Sequence, residues 1–473
     1  MRKDNEATST IGIPRRAALK VLNWPVAQLG RGRLPFSLNN RREGSMPQPL
    51  TASDSASEGR AWYVVIVCMF AYIMSFIDRQ ILSLLISPIQ ADLHINDTQF
   101  GLLSGLAFSI FYATMGIPIA SLSDRVSRPL VIAVGIGLWS IATAACGMAA
   151  GFLALFLARV LVGGGEAALT PATYSLIGDL FPRDYSIGSF LGAGTAFLVG
   201  GTVIALVSYK QETLLLGMAF RPWQLVFLIV GAPGLLLAAL VWLTVKEPVP
   251  ADRRGKDGMP SFGAVLRLIW ERRAIFLPHI FGFTFTAMAL FAILGWTPAY
   301  LMRSFGLTPG SSGLWLGFVA IFAGGGGVLT SGWLMDYLTR AGRRDAPFLT
   351  GMIGAAGTVL PAAVLPLASS LPVGVALVTV ALFFASFPMP PSTAVMQIAA
   401  PPQMRSRVSA IFLCSNSLIG LTVGSLLVGL LNDNVFGKTA GVAASIGVVA
   451  SGASVLAILI LVLGRKPFAA FPN

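Results

Sequence analysis

Charged residues are scarce in this chain. Of its 473 residues, 11% are charged and 55% are hydrophobic, whereas an ordinary soluble domain carries about 25% charged residues. A soluble protein with so few charges could not cover its surface with polar groups, so most of the chain must lie in lipid. The composition therefore excludes a cytosolic enzyme, a secreted disulfide-rich protein and a disordered chain.

Cysteine and histidine are also rare. The three cysteines lie in separate apolar runs without a CxxC pair, and the two histidines are isolated from each other. We interpret the cysteines as packing residues. Because no cluster of Cys, His, Asp and Glu is present in the sequence, we expect neither a metal site nor a cofactor.

Long apolar runs, by contrast, fill the chain from Ala61 to Gly464. A spanning helix needs about 20 mostly apolar residues, and such runs must be helical because lipid cannot pair with backbone polar groups. The runs are continuous rather than alternating, which argues against a membrane β-barrel. Twelve runs are predicted, at residues 62–86, 98–121, 130–150, 152–175, 187–208, 222–245, 275–301, 312–335, 347–369, 372–398, 406–431 and 440–463.

The runs form two groups of six that resemble each other. A small residue lies four positions before an aspartate after run two (Ala120, Asp124) and again after run eight (Gly332, Asp336), and arginines follow both. Such an echo indicates a duplicated six-helix unit. The sequence therefore predicts an all-α integral membrane protein with 12 transmembrane helices in two pseudo-symmetric six-helix bundles. The predicted bundles cover residues 61–245 and 274–464, and a cytoplasmic linker joins them at 246–273.

The excess of basic residues is a topological signal. The chain has 33 Lys and Arg against 20 Asp and Glu; 27 of the basic residues lie in the tails, the linker and the loops on one side, and four lie in the loops on the other. Basic loops remain in the cytoplasm. We therefore expect both termini to be cytoplasmic, a location in a bacterial inner membrane, and no nucleic-acid partner.

The two ends of the chain are predicted to be tails. Residues 1–60 carry ten Lys and Arg and five acids, and they lack the apolar core of a signal peptide. We expect either a disordered basic cytoplasmic tail or a true translation start at Met46. Residues 465–473 form a second cytoplasmic tail.

Four charged side chains lie well inside the predicted spans: Asp78 and Arg79 in the first, Arg159 and Glu166 in the fourth. Residues seven apart on a helix lie within about 20° of each other, so Arg159 and Glu166 share a face. A rise of about 1.5 Å per residue places Asp78 and Arg159 in the same half of the membrane, away from the termini. Arg79 lies about 100° round the helix from Asp78, and we expect it to reach the lipid head groups.

Intramembrane charges are functional by default. We predict that Asp78 pairs with Arg159 and that Glu166, deeper toward the cytoplasm, completes a proton relay. The alternative is a buried ion pair that only fixes helix packing, because desolvation offsets most of the attraction in such a pair.

Six further residues are candidates for lining a substrate cavity. Aromatic residues in such runs more often face lipid or the membrane interface, so a lipid-facing or interfacial position remains the alternative for four of them. The candidates are Phe281, Phe285, Trp296 and Tyr300 in run seven, with Gln397 and Asn416 as polar candidates in later runs.

Three motifs resemble the major facilitator superfamily, and one of them resembles its Spinster-like branch in particular. The loop Asp124-Arg125-x-x-Arg128 and the helix segment from Arg159 to Gly163-Gly-Gly-Glu166 are similar to superfamily signatures. The phrase SFIDRQILSLL around Asp78 is similar to Spinster-like proteins. The resemblance implies alternating access by two bundles and proton coupling by Asp78, Arg159 and Glu166. It also implies a conformational latch formed by Asp124, Arg125, Arg128 and Asp336.

We therefore expect a monomeric secondary transporter that couples protons to the movement, with export favoured, of an amphipathic lipid-like or organic anion. A drug or sugar transporter of the same fold is the close alternative. A non-transporting membrane receptor or scaffold is an alternative of another class, which the intramembrane charges argue against. A membrane-embedded enzyme is disfavoured, because the sequence offers neither a metal-ligand cluster nor a nucleophile–base pair.

Overall fold

A computed structural model describes residues 52–123, 126–180, 213–215, 218–247, 261–437 and 441–471. The described part is helical except for loops and one antiparallel hairpin, in which Leu214 pairs with Ala219. The strands of this hairpin are β1 (Thr213–Leu215) and β2 (Met218–Phe220). The predicted fifth span, 187–208, lies outside the described residues.

The first half of the chain, up to residue 247, contributes α1 (Ala52–Leu84), α2 (Ile86–Leu93), α3 (Asp97–Ser104), α4 (Leu106–Ser123), α5 (Arg128–Cys146), α6 (Phe152–Glu166), α7 (Leu169–Leu180) and α8 (Pro222–Thr244). The second half, from residue 261, contributes α9 (Phe262–Glu271), α10 (Arg273–Phe305), α11 (Pro309–Val319), α12 (Gly325–Arg340), α13 (Ala346–Ala363), α14 (Leu371–Ala385), α15 (Met389–Ala399), α16 (Arg405–Ser415), α17 (Thr422–Leu431) and α18 (Gly441–Ala469).

The helices confirm the predicted class of an all-α integral membrane protein. Ten helices or collinear helix pairs in the described residues are long and apolar enough to cross a membrane. Many large apolar side chains point outward from them, which a lipid environment accommodates and water would not. The second predicted span appears as α3 and α4, which are separated at Gly105. This second span is not among the ten and the fifth is not described, so the count of twelve stays a prediction.

Two predicted boundaries differ from the structure. The first helix begins at Ala52 rather than at residue 62, and the predicted linker 246–273 contains the helix α9. Helix α9 was missed because its charges, Arg267 and Glu271, made the whole interval resemble a solvated loop. A row of apolar residues at helical spacing inside that interval was the signal for it.

Three π-helical turns interrupt helices of the second half. Ala320–Gly324 lies between α11 and α12, Asn416–Leu421 lies between α16 and α17, and Asn432–Phe436 follows α17. Such turns occur frequently at functional sites. The middle turn lies against α4 and α10, where the two halves of the protein meet.

The helix ends define two faces of the protein. We call the face that carries the linker and the start of α5, α10 and α13 the terminal face, and the opposite face the distal face. On the terminal face, one ion pair closes each half. Arg128 at the start of α5 lies 2.6 Å from Glu247, just beyond α8, and Asp345 just before α13 pairs with Arg465 in α18.

Near the distal face the two halves pack closely through small residues. Ser104 and Ser425 share a hydrogen bond of 2.6 Å, and Ser109 is hydrogen-bonded to Thr422. A side chain on Gly101 would collide with the main chain of Ser425. Glycine and serine at such contacts permit the close approach of two membrane helices. This contact between α3–α4 and α17 is called the distal seam below.

Candidate functional site

Charged side chains of the first and fourth predicted spans are enclosed by protein. Asp78, Arg159 and Glu166 expose 2%, 2% and 1% of their surface. Buried charges of this kind are expensive in a membrane protein and require partners or a function. The partners, however, are not the ones that the sequence suggested.

Glu166 forms its ion pair with Arg79. The Nε and Nη2 atoms of Arg79 both lie 2.6 Å from Oε2 of Glu166, and the Ser75 hydroxyl donates to the same oxygen at 2.6 Å. The expectation that Arg79 reaches the lipid head groups is therefore wrong. The step of about 100° from Asp78 turns Arg79 toward α4 and α6, where a carboxylate and aromatic rings receive it.

Aromatic rings surround the Arg79 guanidinium. Its central carbon lies 4.6 Å from the ring centre of Phe108, 4.8 Å from that of Tyr112 and 5.6 Å from that of Phe76. The negative face of an aromatic ring attracts a cation at these distances. The Arg79 side chain is 26% exposed whereas that of Glu166 is fully covered, so the cation of the pair is the accessible partner.

Arg159 contacts α1 at Asp78, as predicted, but it binds the main chain of Asp78 rather than its carboxylate. Its Nη1 atom donates to the main-chain oxygen of Asp78 at 3.0 Å. Among the described residues, the predicted ion pair between the Asp78 carboxylate and Arg159 is not formed. Three buried polar atoms of the cluster have no hydrogen-bond partner: Oδ1 of Asp78, Nε of Arg159 and Oε1 of Glu166. The cluster therefore has capacity for additional hydrogen bonds.

Helix packing fixes the position of the aromatic rings below Arg79. A methyl group at Gly163 in α6 would overlap the main-chain oxygen of Phe108 in α4. Because this glycine lets the two helices approach so closely, Phe108 is held against both Arg79 and Arg159, whose central carbon lies 5.8 Å from the ring centre. The glycines of the fourth span are thus part of the site's support.

In the second half, Asn416 is the predicted candidate that lines a cavity. It begins the π-helical turn Asn416–Leu421, and its Oδ1 accepts a hydrogen bond of 3.1 Å from Thr284, which also bonds Ser415 at 2.9 Å. The cavity beside it measures about 70 Å³. Its lining is mostly apolar, with Phe283, Leu290, Phe291, Met389 and Phe412 among the residues.

The other five cavity candidates have different environments. Trp296 and Tyr300 are enclosed by protein, and Trp296 donates to the main-chain oxygen of Ser425 at 3.1 Å. These two residues pack the interior in this conformation, and a role at a cavity stays a prediction for them. Phe281 and Gln397 are exposed and Phe285 is half-buried. For these three, a role at a cavity stays a prediction.

Only part of the predicted latch lies within the residues that the structure describes. Asp124 and Arg125 lie outside the described residues, and Asp336 is exposed near the end of α12. Arg128 is buried and binds Glu247 through its side chain at 2.6 Å and its main-chain N–H at 2.7 Å. Glu247 was missed because it begins the charged linker, where the sequence gives no sign of a buried partner.

A polar cluster on the distal face joins the two halves and was not predicted. Arg303 donates to both oxygens of Asp97 at 2.7 Å, and Asp433 accepts the main-chain N–H groups of Asp97 and Thr98 at 3.2 and 2.7 Å. Burial alone would raise the pKa of the Asp97 carboxyl, but the hydrogen bonds and charge of Arg303 outweigh it, and the pKa lies below 3.8. Asp97, Arg303 and Asp433 all lie near the ends of helical segments. In the sequence, charged residues at such places resemble ordinary loop residues, so the cluster was not predicted.

The fold and the site together define a class. Two halves that meet in a seam of small residues, with buried charges in one half and a small apolar cavity in the other, are typical of a secondary transporter. The sequence model of the Major Facilitator Superfamily matches residues 68–424. The chain belongs to this superfamily of membrane transporters.

Individual relatives agree with this assignment. The chain is 31% identical over 405 residues to an MFS-type efflux pump of Mycolicibacterium smegmatis (strain ATCC 700084 / mc(2)155), covering 83% of this chain and 90% of the pump. It is 26% identical to a probable L-galactonate transporter of Escherichia coli (strain K12), covering 74% and 80% of the two chains. It is 25% identical to the protein spinster of Drosophila melanogaster, where the match covers 65% of this chain and about half (51%) of that protein.

A solved structure supports the Spinster-like resemblance. The crystal structure of a bacterial homologue of the human lysosomal transporter Spinster, in an inward-facing and unoccupied conformation, aligns with a TM-score of 0.71 at 25% identity. The alignment covers 87% of this chain and 96% of that one. The predicted resemblance to the Spinster-like branch is confirmed.

Proposed function

We propose that this transporter moves an amphipathic organic anion across a bacterial inner membrane by proton-coupled alternating access. The observation that carries the proposal is the buried pair of Arg79 and Glu166, in which the cation is accessible and the carboxylate is covered. An accessible cation can bind an anionic group, and a covered carboxylate next to it can bind a proton.

Proton and anion binding are linked through this pair. While Glu166 is ionised, it neutralises Arg79 and competes with any anionic ligand for the guanidinium. Protonation of Glu166 removes that competition and frees Arg79 for the ligand. Asp78, with an unpartnered carboxylate oxygen in the same cluster, is proposed to relay the proton, and Arg159, which keeps its positive charge, is proposed to hold the cluster together through the main-chain oxygen of Asp78.

The apolar character of the cavity supports a substrate with a large apolar part. The cavity next to Asn416 is lined mainly by apolar residues (Phe, Leu, Met, Ala and Pro), with Thr286 and Ser392 as its other polar residues. A sugar acid needs several hydrogen-bonding partners, whereas an alkyl chain needs apolar contacts. A lysophospholipid or another long-chain anion is therefore the favoured substrate class, and a sugar acid is the competing class, supported by the L-galactonate transporter among the relatives.

The direction in which the substrate moves, relative to the cell and relative to the proton, is supported by two different observations. The resemblance to an efflux pump supports export, which was also the expectation from the sequence. The shared use of Arg79 and Glu166 supports movement of anion and proton in the same direction, since protonation of Glu166 is what frees Arg79. Proton flux measured during substrate transport separates these two possibilities.

The experiment uses the purified protein in proteoliposomes that contain a pH-sensitive dye. Lysophosphatidylglycerol, oleate and galactonate are added under an imposed pH gradient, and substrate movement and internal pH are followed together. We expect Glu166→Gln to abolish the coupling while substrate binding persists, and Arg79→Gln to abolish binding. Arg267→Gln, which changes an exposed arginine far from the pair, is the matched control. Unchanged proton flux in Glu166→Gln would refute the proposed coupling.

The proposed orientation has a separate basis. The strong bias of Lys and Arg toward the terminal face supports cytoplasmic termini. A protease-sensitive tag added after Asn473 should be cleaved in inside-out vesicles and protected in intact spheroplasts. We further propose that a single chain is the transporting unit, which light scattering of the purified protein in detergent would test.

A further inference from the structure

The helix α9, which precedes the span α10, presents an exposed apolar stripe. Phe262, Leu266 and Trp270 are 46%, 47% and 65% exposed, although each is a large apolar or aromatic residue. They are four residues apart, so at about 100° per residue they fall within about 80° of one another on the helix surface. The stripe is therefore one continuous strip along the whole length of α9.

The remaining residues of α9 divide into two further sectors. Val265, Leu268 and Ile269 are buried in an apolar cluster of the second half, and at about 100° per residue they occupy an adjoining arc of about 100°. Arg267 and Glu271 are exposed, form an ion pair of 3.0 Å, and lie on the third side. Helix α9 therefore has one sector that packs against protein and one that faces solvent. Its third sector, the apolar stripe, is exposed and suits a nonpolar environment.

The position of α9 in the chain indicates its depth relative to the membrane. Helix α9 ends at Glu271, and the span α10 begins two residues later at Arg273. Arg272, between them, donates to the main-chain oxygen of Ala399, the last residue of α15, at 2.7 Å. Since α15 and α10 both meet the membrane boundary here, α9 lies at that boundary.

The side chains at the end of the stripe suit the boundary between acyl chains and head groups. Trp270 is the type of residue that concentrates at membrane interfaces. The Arg273 guanidinium stacks on its ring, with 5.4 Å between the central carbon and the ring centre, and both residues are exposed. A cation held in this position can bind a lipid phosphate while the indole contacts the acyl chains.

We propose that α9 is an interfacial helix whose stripe of Phe262, Leu266 and Trp270 is embedded in the lipid leaflet of the terminal face. The lipid is the occupant that the geometry favours, for two reasons. The stripe ends within three residues of the start of the spanning helix α10, and the cation at Arg273, next to Trp270, complements the anionic phosphate that lies at this depth. The inner sector anchors the helix to the second half, and Arg272 connects it to the end of α15.

The experiment measures the medium around single positions of α9. A spin label is attached to Leu266→Cys in the full-length protein reconstituted into nanodiscs of phosphatidylethanolamine and phosphatidylglycerol. Cys414→Ser removes the partly exposed native cysteine, and Cys68 and Cys146 are buried. Collision of the label with oxygen, which concentrates in lipid, is compared with collision with a water-soluble nickel chelate. We expect oxygen to dominate at Leu266.

The control lies on the same helix. A label at Arg267→Cys, on the solvent sector, should collide mainly with nickel and should reverse the ratio found at Leu266. A second measurement uses quenching of tryptophan fluorescence by lipids brominated near the head of the acyl chain, and Trp270→Phe should remove a clear part of the quenching. Dominant nickel access at Leu266 would overturn the proposal, and so would shielding from both reagents, which would indicate that protein covers the stripe.

Discussion

Arg303 in α10 and Asp97 at the start of α3 tie the two halves of the protein together at the distal face. Two hydrogen bonds of 2.7 Å join them, and the Asp97 side chain is fully covered while Arg303 is nearly so. The seam of small residues lies directly beneath. The distal route between the halves is closed in this conformation, so the pair must separate if the distal side is to open.

Arg303→Ala is therefore expected to favour opening of the distal side. Removing one partner of a buried ion pair costs about 3–5 kcal/mol, and here the closed conformation carries this cost because it covers Asp97. We expect Ser425→Cys, in the seam, to react at least about tenfold faster with an impermeant maleimide in Arg303→Ala than in the parent protein.

The matched control for this prediction is Arg303→Lys. It retains one cationic donor, so it should keep most of the protection of Ser425→Cys against the maleimide. Equal labelling rates in the parent, Arg303→Ala and Arg303→Lys proteins would show that the pair does not hold the distal side closed.

Two ion pairs of the terminal face that connect an early helix of each half to a later segment of the same half have opposite polarity. In the first half the cation, Arg128, lies at the start of the helix and the anion, Glu247, follows a later helix. In the second half the anion, Asp345, lies at the start and the cation, Arg465, in the later helix. The two halves thus have an ion pair at equivalent places, but the cation and the anion have exchanged positions. This indicates that an ion pair is needed there and that either residue can carry the positive charge.

This relationship makes a charge exchange testable. Glu247→Arg alone places two cations together and should destabilise the protein by about 3 kcal/mol or more, because Arg128 is buried. Addition of Arg128→Glu should recover most of that loss. Thermal unfolding in detergent measures both effects, and a double variant no more stable than Glu247→Arg would contradict the interchangeability of the two orders.

Asp345 gives the protein a defined sensitivity to acid. Hydrogen bonds from Arg343, followed by the influence of Arg465, lower the pKa of the Asp345 carboxyl from 3.8 to about 2. Because the folded state has the lower pKa, the pair contributes its full stability above about pH 4 and loses it as the pH falls toward about 2. We expect Asp345→Asn to lower the unfolding temperature at neutral pH and to remove part of its decline below about pH 4.

The control for the acid prediction is Asp336→Asn. Asp336 is an exposed aspartate on the same face, and Asp336→Asn removes a carboxyl there while the contacts of Asp345 with Arg343 and Arg465 remain. An identical profile in the parent protein and in Asp345→Asn would refute the assigned role of Asp345.

The sequence predicted the spans well because the membrane allows few alternatives. Apolar runs of spanning length must be helical in lipid, and the helices follow those runs closely. The proximity of Asp78 and Arg159 also followed from the sequence, since helix rise alone brings them to the same level of their helices. Two of the features that were not predicted, α9 and the break at Gly105, depend on the pattern and packing of individual residues rather than on average hydrophobicity.

The partners of the charged residues could not be derived from the sequence in the same way. Depth along the helix brought Asp78 and Arg159 to one level, and they do lie together, but the rotation of each helix decides which group points where. A rotation that turns Arg79 toward Glu166 leaves only the main-chain oxygen of Asp78 for Arg159. Helix rotation is set by contacts with neighbouring helices, such as Gly163 against Phe108, that one sequence does not reveal.

Adjacent glycines of α6 offer a direct test of that packing. A methyl group at Gly163 would overlap the main-chain oxygen of Phe108, whereas one at Gly164 would lie 3.5 Å from the Phe111 ring, an ordinary contact. Gly163→Ala should force α4 and α6 apart at a cost of about 1–3 kcal/mol and move Phe108 away from Arg79, so both thermal stability and proton-coupled transport should fall. Gly164→Ala should keep both near the parent values, because its methyl group meets no main-chain atom and alanine favours the helix. If the two variants behaved alike in unfolding and in transport, the close approach at Gly163 could not be what positions Phe108 beside the ion pair.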